Sequence, residues 1–525
     1  MTVSSYPILK SIDCSKSLRK TSLLIIIFMV IVGLAVGATV KETKAESNVA
    51  SDKVLRIAFG IGPTGGVEEK TENDLHNQAL DHWEEVTKKK CVGVPAEDCE
   101  AIPEKVQNYY DKNPSDEPAK VPGTFDLVKI QDPMVEEDDG TGIIDSGLDL
   151  ADLDGDGYPD LGAMGKSDNG EDFLLYENDG TGHFDNTTFS AAPTPAQQEA
   201  AVAFGDLTGN SSNDLVVAGG DDNTDGILKV YHNDGSGNFN EVEEPLGSDT
   251  GLGRAPAVNL ADVDNDGDLD LIAQGWYGSR IRLGLFVFHN DGTGSFGSPE
   301  QNLLSDTSLA VGGLGVADLN GNGQKDLVAS GFDDGAGEHL FVFKNTGSGT
   351  FTLDQEPMKD LNDGTGVTNE QNGLELADFD DDGDRDLLLA GYDENVDTRL
   401  VIYENDGSGQ FTSKLQDFSD TYGTNADGDV AVADFTQDGT MEFAASGNLG
   451  TGSPKKLVVF DRNASGKFEV ILEPFKDNDE EDTGVDLGEI TTGDIDDDDD
   501  PDLIVSGQDN SGQKRLIVFE NQVFK

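Results

Sequence analysis

Positive charge is scarce in this chain of 525 residues: 35 Lys and Arg stand against 103 Asp and Glu, for a formal net charge of −68. A surface of that sign repels phosphate backbones and anionic lipid, which excludes nucleic acid and leaves membrane contact only to an N-terminal segment. Cysteine is nearly absent. Cys14 precedes the one long apolar run, and Cys91 and Cys99 bracket a short loop that reads as a local disulfide rather than a metal site. The few histidines form no HExxH pattern: His76 and His82 read as surface residues of a helix, and His183, His232 and His289 as turn surface. There is no G-x-S-x-G elbow, and the arginines do not cluster, so no catalytic constellation is legible.

The apolar run is Leu23 to Val40, 18 residues behind Lys10, Lys16, Arg19 and Lys20. It sits at the border between a signal-peptide core and a spanning helix, with Val36-Gly37-Ala38 as a small-residue cleavage site. Residues 1–45 therefore read as a signal peptide or an uncleaved anchor, and either exports the rest of the chain. Residues 46–122 form a separate extension. Val54 to Ile61 reads as a strand, Thr71 to Lys90 as a helix, and Pro103 to Pro122 as a turn-rich linker.

High charge with modest hydrophobicity is also the composition of a disordered chain. From residue 123 onward a strict period argues against that. A nine-residue acidic loop recurs seven times, with starts 54 to 60 residues apart: Asp152, Asp206, Asp262, Asp318, Asp378, Asp434 and Asp494. Each copy is preceded by an alternating apolar segment and followed by a buried-looking run ending in Gly, such as DLIAQG or DLLLAG. A second alternating segment and an Asn-Asp-Gly turn come next, then a Phe that begins a last strand. That makes four antiparallel strands per repeat, A to D, with no helix inside the repeats. The fold class is all-β, and units of this size fit the blades of a β-propeller. The chain ends at strand C of the seventh repeat. GTFDLVKIQDPM (123–134) resembles the other D strands and is expected to complete the seventh blade and close the ring over residues 123–525.

Oxygen ligands at positions 1, 3, 5 and 9, with Gly at 6 for the sharp turn, are what calcium requires. Loop one carries Asp152, Asp154, Asp156 and Asp160; loop three Asp262, Asp264, Asp266 and Asp270; loop five Asp378, Asp380, Asp382 and Asp386; loop seven Asp494, Asp496, Asp498 and Asp502. Loop four is weaker, with Asp318, Asn320, Asn322 and Asp326. Loops two and six depart further, through Thr208 and Asn210, and through Thr436 and Glu442. An EF-hand is excluded, because strands flank the loop and Ala163 stands at its twelfth position. DLDGDGYPDLGAMG (152–165) resembles the calcium loop of the FG-GAP/VCBS propellers, which include the head of integrin α chains. That resemblance covers 123–525 and implies calcium at positions 1, 3, 5 and 9 of each loop. It is unspecific for activity, since the family includes adhesion receptors, lectins and polysaccharide-acting enzymes.

One aromatic feature is not explained by the repeat. The residue after the strand-B glycine, expected to open the B–C loop, is Trp276, Phe332 and Tyr392 in repeats three to five, with Tyr277 beside the first. On neighbouring blades these would form one patch for a glycan or a protein partner. The sequence thus reads as an exported calcium-binding propeller that acts as a binding or adhesion module. A polysaccharide lyase or hydrolase and a structural surface-layer component are the alternatives.

Overall fold

The computed structural model describes residues 125–523 except for loop stretches, the longest at 190–196 and 478–483, together with 41–42 and 57–58. The chain divides into two compact units, Met1–Ala119 and Lys120–Lys525. In the first, Lys41–Glu42 pairs antiparallel with Ile57–Ala58. Of the expected signal or anchor segment only Lys41–Glu42 is described; the Leu23–Val40 run, the expected helix with His76 and His82, the Cys91–Cys99 pair and the linker lie outside the described residues. Among the described residues no helix is long and apolar enough to cross a membrane.

The second unit is all-β, and its sheets are antiparallel meanders built one per repeat. Repeat four shows the plan: Leu314–Ala317, Asp326–Phe332, Glu338–Asn345 and Phe351–Gln355 pair in chain order. The apolar run after each acidic loop becomes strand B, flanked by A and C and buried along nearly its whole length, as in Asp214–Gly219 and Asp502–Asp509. Repeats two and three share one sheet, because Ile227 also pairs with Leu252. In the last repeat Ile490–Gly493, Asp502–Asp509 and Lys514–Asn521 take their fourth strand from Leu127–Gln131, about 390 residues earlier, with Leu127 opposite Asn521 and Lys129 opposite Phe519.

The core lies between repeats. Leu161, Tyr176 and Phe184 of the first repeat are buried in one cluster with Ile495, Ile504, Leu516 and Val518 of the last. Ala377, Leu388 and Ile402 of repeat five share a cluster with Val430, Phe443 and Val458 of repeat six. A wholly buried side chain of this size is worth roughly 1.5–3 kcal/mol relative to its exposed state, so a single meander gains little until its neighbour covers it.

Polar clamps fix the spacing. The Gln131 amide donates to the Phe184 carbonyl and accepts from the Phe184 N–H, both at 2.8 Å. Gln355 holds Phe411 in the same way, and Gln416 holds Phe468. Each ties strand D of one repeat to the start of strand D in the next.

Three expectations need correction. Helical turns do occur in the repeats, at Pro133–Glu136, Pro357–Asp360, Ser419–Tyr422 and Pro474–Asp477. In three of them a proline pre-set for the first helical position follows strand D and drives Met134, Met358 or Phe475 fully into the core. In repeat three the D strand is only Gln301–Asn302 and does not run on from Phe296, because Pro299 cannot donate to the ladder. Trp276, Tyr277, Phe332 and Tyr392 are the ends of B strands rather than B–C loop residues; Trp276 pairs with Leu283 and Tyr392 with Thr398.

Removing residues 123–134 is expected to leave Lys514–Asn521 as an unpaired edge, with aggregation or a large fall in melting temperature, whereas removing 46–110 should do far less. Scanning calorimetry and size-exclusion chromatography of the two deletions check this; a monomer with unchanged melting after the first deletion rejects it.

Candidate metal centres

Each acidic loop is wound by its own carboxylates. In loop one Asp152 accepts from the N–H groups of Gly155 (2.7 Å) and Gly157 (3.0 Å), and Asp156 accepts from Tyr158 (2.9 Å). Loop three repeats the pattern, with Asp262 accepting from Gly267 and Asp266 from Asp268, and so does loop five, with Asp378 accepting from Gly383 and Asp382 from Asp384. Two positions take positive φ. At position 6 these are Gly157, Gly267 and Gly383, with Asp499 in loop seven at φ 72°, a strain of roughly 1 kcal/mol relative to glycine. At position 4 they are Gly155, Gly209, Asn265, Gly321, Asp381 and Asp497, with Gln437 the exception to Gly, Asn or Asp. The preference of position 4 for Gly, Asn and Asp was visible in the sequence and carried no weight there.

The position-9 side chain is buried in every loop. Asp160 accepts from the Leu153 N–H at 2.8 Å and the Asn178 N–H at 2.9 Å, and Asp270, Asp386 and Asp502 do the same with Val263 and Asn290, Phe379 and Asn405, and Ile495 and Asn521. Asp214 and Asp326 of the weaker loops keep both bonds. Position 9 therefore holds the loop to its sheet whether or not the other ligand residues are present.

Ligand oxygens converge. Asp152, Asp154 and Asp160 offer oxygens within 4.8 Å of one another, as do Asp262, Asp264 and Asp266, and Asp378, Asp380 and Asp386. Asp434, Asp438 and Glu442 of loop six do so too, the longer Glu making up for the missing Asp; these residues stand outside the ligand set expected from the sequence. Burial pushes Asp160 and Asp386 up to about 7 and Asp502 up to about 8. Asp154, Asp264 and Asp380 are raised by burial, with neighbouring carboxylates adding to it. Asp378 Oδ1 and Asp496 Oδ1 are buried without a hydrogen-bond partner. In loop three Asp264 and Asp270 also converge with a ring nitrogen of His289, and elsewhere the donors are carboxylate oxygens; mostly oxygen donors, an excess of negative charge and orphaned buried oxygens fit a hard divalent cation. His232 and His289 are not turn surface: both are half-buried, with their rings against Gly294 and Gly349 of the next repeat, and His289 Nδ1 lies 3.7 Å from Asp264 Oδ2, whereas His183 is exposed.

A second acidic group lies on the A strands. Asp149 accepts from the Phe204 N–H at 2.7 Å, Glu489 from Leu148 at 2.6 Å, and Asp429 from Gly373 at 3.0 Å and Ile490 at 2.9 Å, so these carboxylates bridge the A strands of different repeats. Glu375 stands beside Asp429. Desolvation, with Asp429 adding repulsion, pushes Glu375 up to about 8, and desolvation raises Asp149 and Asp429 to about 6. Nothing in the sequence pattern marked them, because acids are everywhere in this chain.

The aromatic patch is brought together only in part. Trp276 and Phe332 meet with ring centroids 6.0 Å apart over Ala255, Leu283 and Val311. Tyr277 instead packs edge-on against Phe286 at 5.0 Å. The indole N–H of Trp276 is buried without an acceptor.

Residues 152–217, 206–273 and 378–445 each match the FG-GAP-like repeat family. This chain carries FG-GAP-like repeats. Their span includes loops one, two, three, five and six, and the match is consistent with an FG-GAP repeat β-propeller family. No curated protein matches the chain significantly. Among solved structures, an Agrocybe aegerita lectin that recognises non-reducing terminal N-acetylglucosamine is 19% identical over 63% of this chain and 80% of its own, with a TM-score of 0.42. The Photorhabdus luminescens Tc holotoxin pore is 15% identical over 71% of this chain and 16% of its own, with a TM-score of 0.28. An endo-arabinase from Bacteroides thetaiotaomicron is 13% identical over 52% and 94%, with a TM-score of 0.27. Likenesses this weak carry no inference about what the FG-GAP-like repeats bind.

The A-strand carboxylates give a pH dependence. With a folded-state value of about 8 against an ordinary value of 4.5, Glu375 holds its proton in the folded state where the unfolded chain has lost it. Stability is therefore lost as pH rises from about 4.5 through about 8. Glu375→Gln is expected to raise the melting temperature by several degrees at pH 8.5 and to leave it nearly unchanged at pH 5, read from paired thermal melts; an equal effect at both pH values rejects this.

Proposed function

We propose that this chain is an exported, calcium-braced β-propeller of seven blades that acts as a binding module at the cell surface. The observation that carries the reading is the recurrence of one loop at one register. Each time, an acidic turn joins strands A and B, anchored by a buried carboxylate at position 9, and in loops one, three, five and six its carboxylates converge. A catalytic metal would be a single distinctive site with an open position, whereas a brace recurs. The blade count rests on the seven meanders. Closure rests on Leu127–Gln131 supplying the fourth strand of the last one, and on the cluster that joins the last repeat to the first. Export rests on the basic residues followed by the Leu23–Val40 run.

Asp152, Asp154, Asp156 and Asp160, and their counterparts in loops three, five and seven, would hold the cation, with the backbone carbonyl at position 7 completing the shell. Bound calcium supplies the positive charge that lets these carboxylates ionise together. Binding only the folded state stabilises by mass action. Excess chelator is expected to lower the melting temperature by ten degrees or more, and calcium to restore it better than magnesium, which demands stricter geometry. In calcium, Asp264→Ala should cost several degrees and Thr208→Ala less. Calorimetric melts with and without chelator check this, and an unchanged curve after confirmed metal removal rejects the brace.

The ligand we assign to the module is a glycan or an extracellular protein taken at Trp276 and Phe332. There, adjacent rings meet at the strand ends away from the acidic loops, and an indole N–H lacks an acceptor. Glycan-array and pull-down experiments on the calcium-loaded protein would identify it. Trp276→Ala is then expected to weaken capture at least tenfold at unchanged melting temperature; undiminished binding removes the patch from the proposal.

A further inference from the structure

One strand-C position faces every acidic loop. The pairings Leu161 with Tyr176, Leu271 with Phe288, Leu327 with Phe343, Leu387 with Tyr403 and Leu503 with Phe519 put the residue after each aromatic beside position 9 of its own loop. That residue is Glu177, Glu404 and Glu520 in repeats one, five and seven, His289 in repeat three, Lys344 in repeat four, and, by the pairings of Leu215 with Tyr231 and Phe443 with Phe460, His232 in repeat two and Asp461 in repeat six. The contact is direct in repeat three, where His289 Nδ1 reaches to 3.7 Å from Asp264. The same side chains are felt electrostatically in the other loops. After burial and the position-5 carboxylate, Glu177 adds to the raised state of Asp154, Glu404 to that of Asp380 and Glu520 to that of Asp496, although Glu404 Oε2 also accepts from Ser413 Oγ and Glu520 Oε1 from Gln522. Lys344 acts on Asp326 in the opposite sense.

Two further observations set loops one and four apart. Glu177 Oε2 is buried without a hydrogen-bond partner, next to the converging carboxylates of loop one. In loop four the Asn320 amide donates onto Asp326 Oδ2, so the buried carboxylate is already met by a neutral donor from position 3, where loops one, three, five and seven carry Asp.

We propose that the strand-C residue decides which loops take a cation: Glu177, Glu404 and Glu520 add an oxygen donor and a charge to loops one, five and seven, and Lys344 with Asn320 keeps loop four metal-free. Calcium affinity rises with the number of charged oxygen ligands. Lys344 Nζ lies 3.5 Å from Asp354 Oδ2 of strand D, and from there its positive charge favours the ionised form of Asp326 and opposes a further cation at a loop that has only two aspartates, Asp318 and Asp326. The proposal rests on the loops being calcium sites and adds which of them are used and why.

The test counts calcium ions per chain by isothermal titration calorimetry on the exported protein, with thermal melts in parallel. Glu177→Lys is expected to bind one ion fewer than the parent, and Glu177→Gln, which keeps an oxygen, to keep the ion with weaker affinity. The double variant Asn320→Asp with Lys344→Glu is expected to bind one ion more and to gain melting temperature in calcium but not in chelator. Because this second variant gains a site, a folding defect in Glu177→Lys leaves the proposal testable. A parent that binds calcium, with the double variant at the same stoichiometry, overturns the selector while the calcium sites stand. A parent that binds no calcium overturns both.

Discussion

The structure depends on one buried carboxylate per repeat. The position-9 acid sits at the first residue of strand B and accepts one N–H from its own loop and, in every repeat but the sixth, one from an asparagine at the end of strand C or, in repeat three, just past it. That asparagine then donates its side-chain amide to the position-2 carbonyl of the preceding repeat: Asn345 to Val263, Asn405 to Leu319, and Asn178 of the first repeat to Ile495 of the last. One loop, one hairpin and one neighbour are thus fixed by a single short chain of hydrogen bonds. Truncating any member leaves a buried polar group unpaired, at a cost of roughly 1–3 kcal/mol. Repeat six replaces the asparagine by Arg462, which instead pairs with Asp381 of loop five at 2.9 Å. The link between repeats is kept with different chemistry.

Around this latch the loops were able to diverge. Loop two has lost most of its ligands, yet Asp214 remains buried and bonded, because its work there is mechanical. Loops with a full set of aspartates carry a repulsion that burial deepens, as the raised Asp160, Asp386 and Asp502 record. Convergence of the ligand carboxylates and anchoring of the loop to its sheet are therefore separable properties of the same nine residues. The acidity of the chain then has more than one place in the fold: the converging carboxylates of the loops and the carboxylates that bridge neighbouring A strands.

Much of this was legible from the sequence alone. Seven copies of the loop, the Asn-Asp-Gly turns and the alternation of apolar residues determined the strands, their order within each meander and the all-β class, because turn chemistry and side-chain period are local properties. The kinship of 123–134 with the other D strands showed that the N-terminal strand belongs beside the last C strand, and Leu127–Gln131 lies there. The short proline-led turns were hidden because four residues establish no period, and the truncated D strand of repeat three because a single Pro299 breaks it.

What only the tertiary structure decided are the relations between repeats. Sequence spacing gives the ligands within a loop, but it cannot say that Glu177 or Lys344, from the far strand of a hairpin, faces that loop. Nor can it say that Glu489 caps Leu148, or that Trp276 meets Phe332 while Tyr277 turns to Phe286. These contacts are set by the registers of paired strands and by the packing of one meander on the next. A pattern that repeats along the chain records the period of the fold, and the chemistry that distinguishes one repeat from another lies in what each repeat touches.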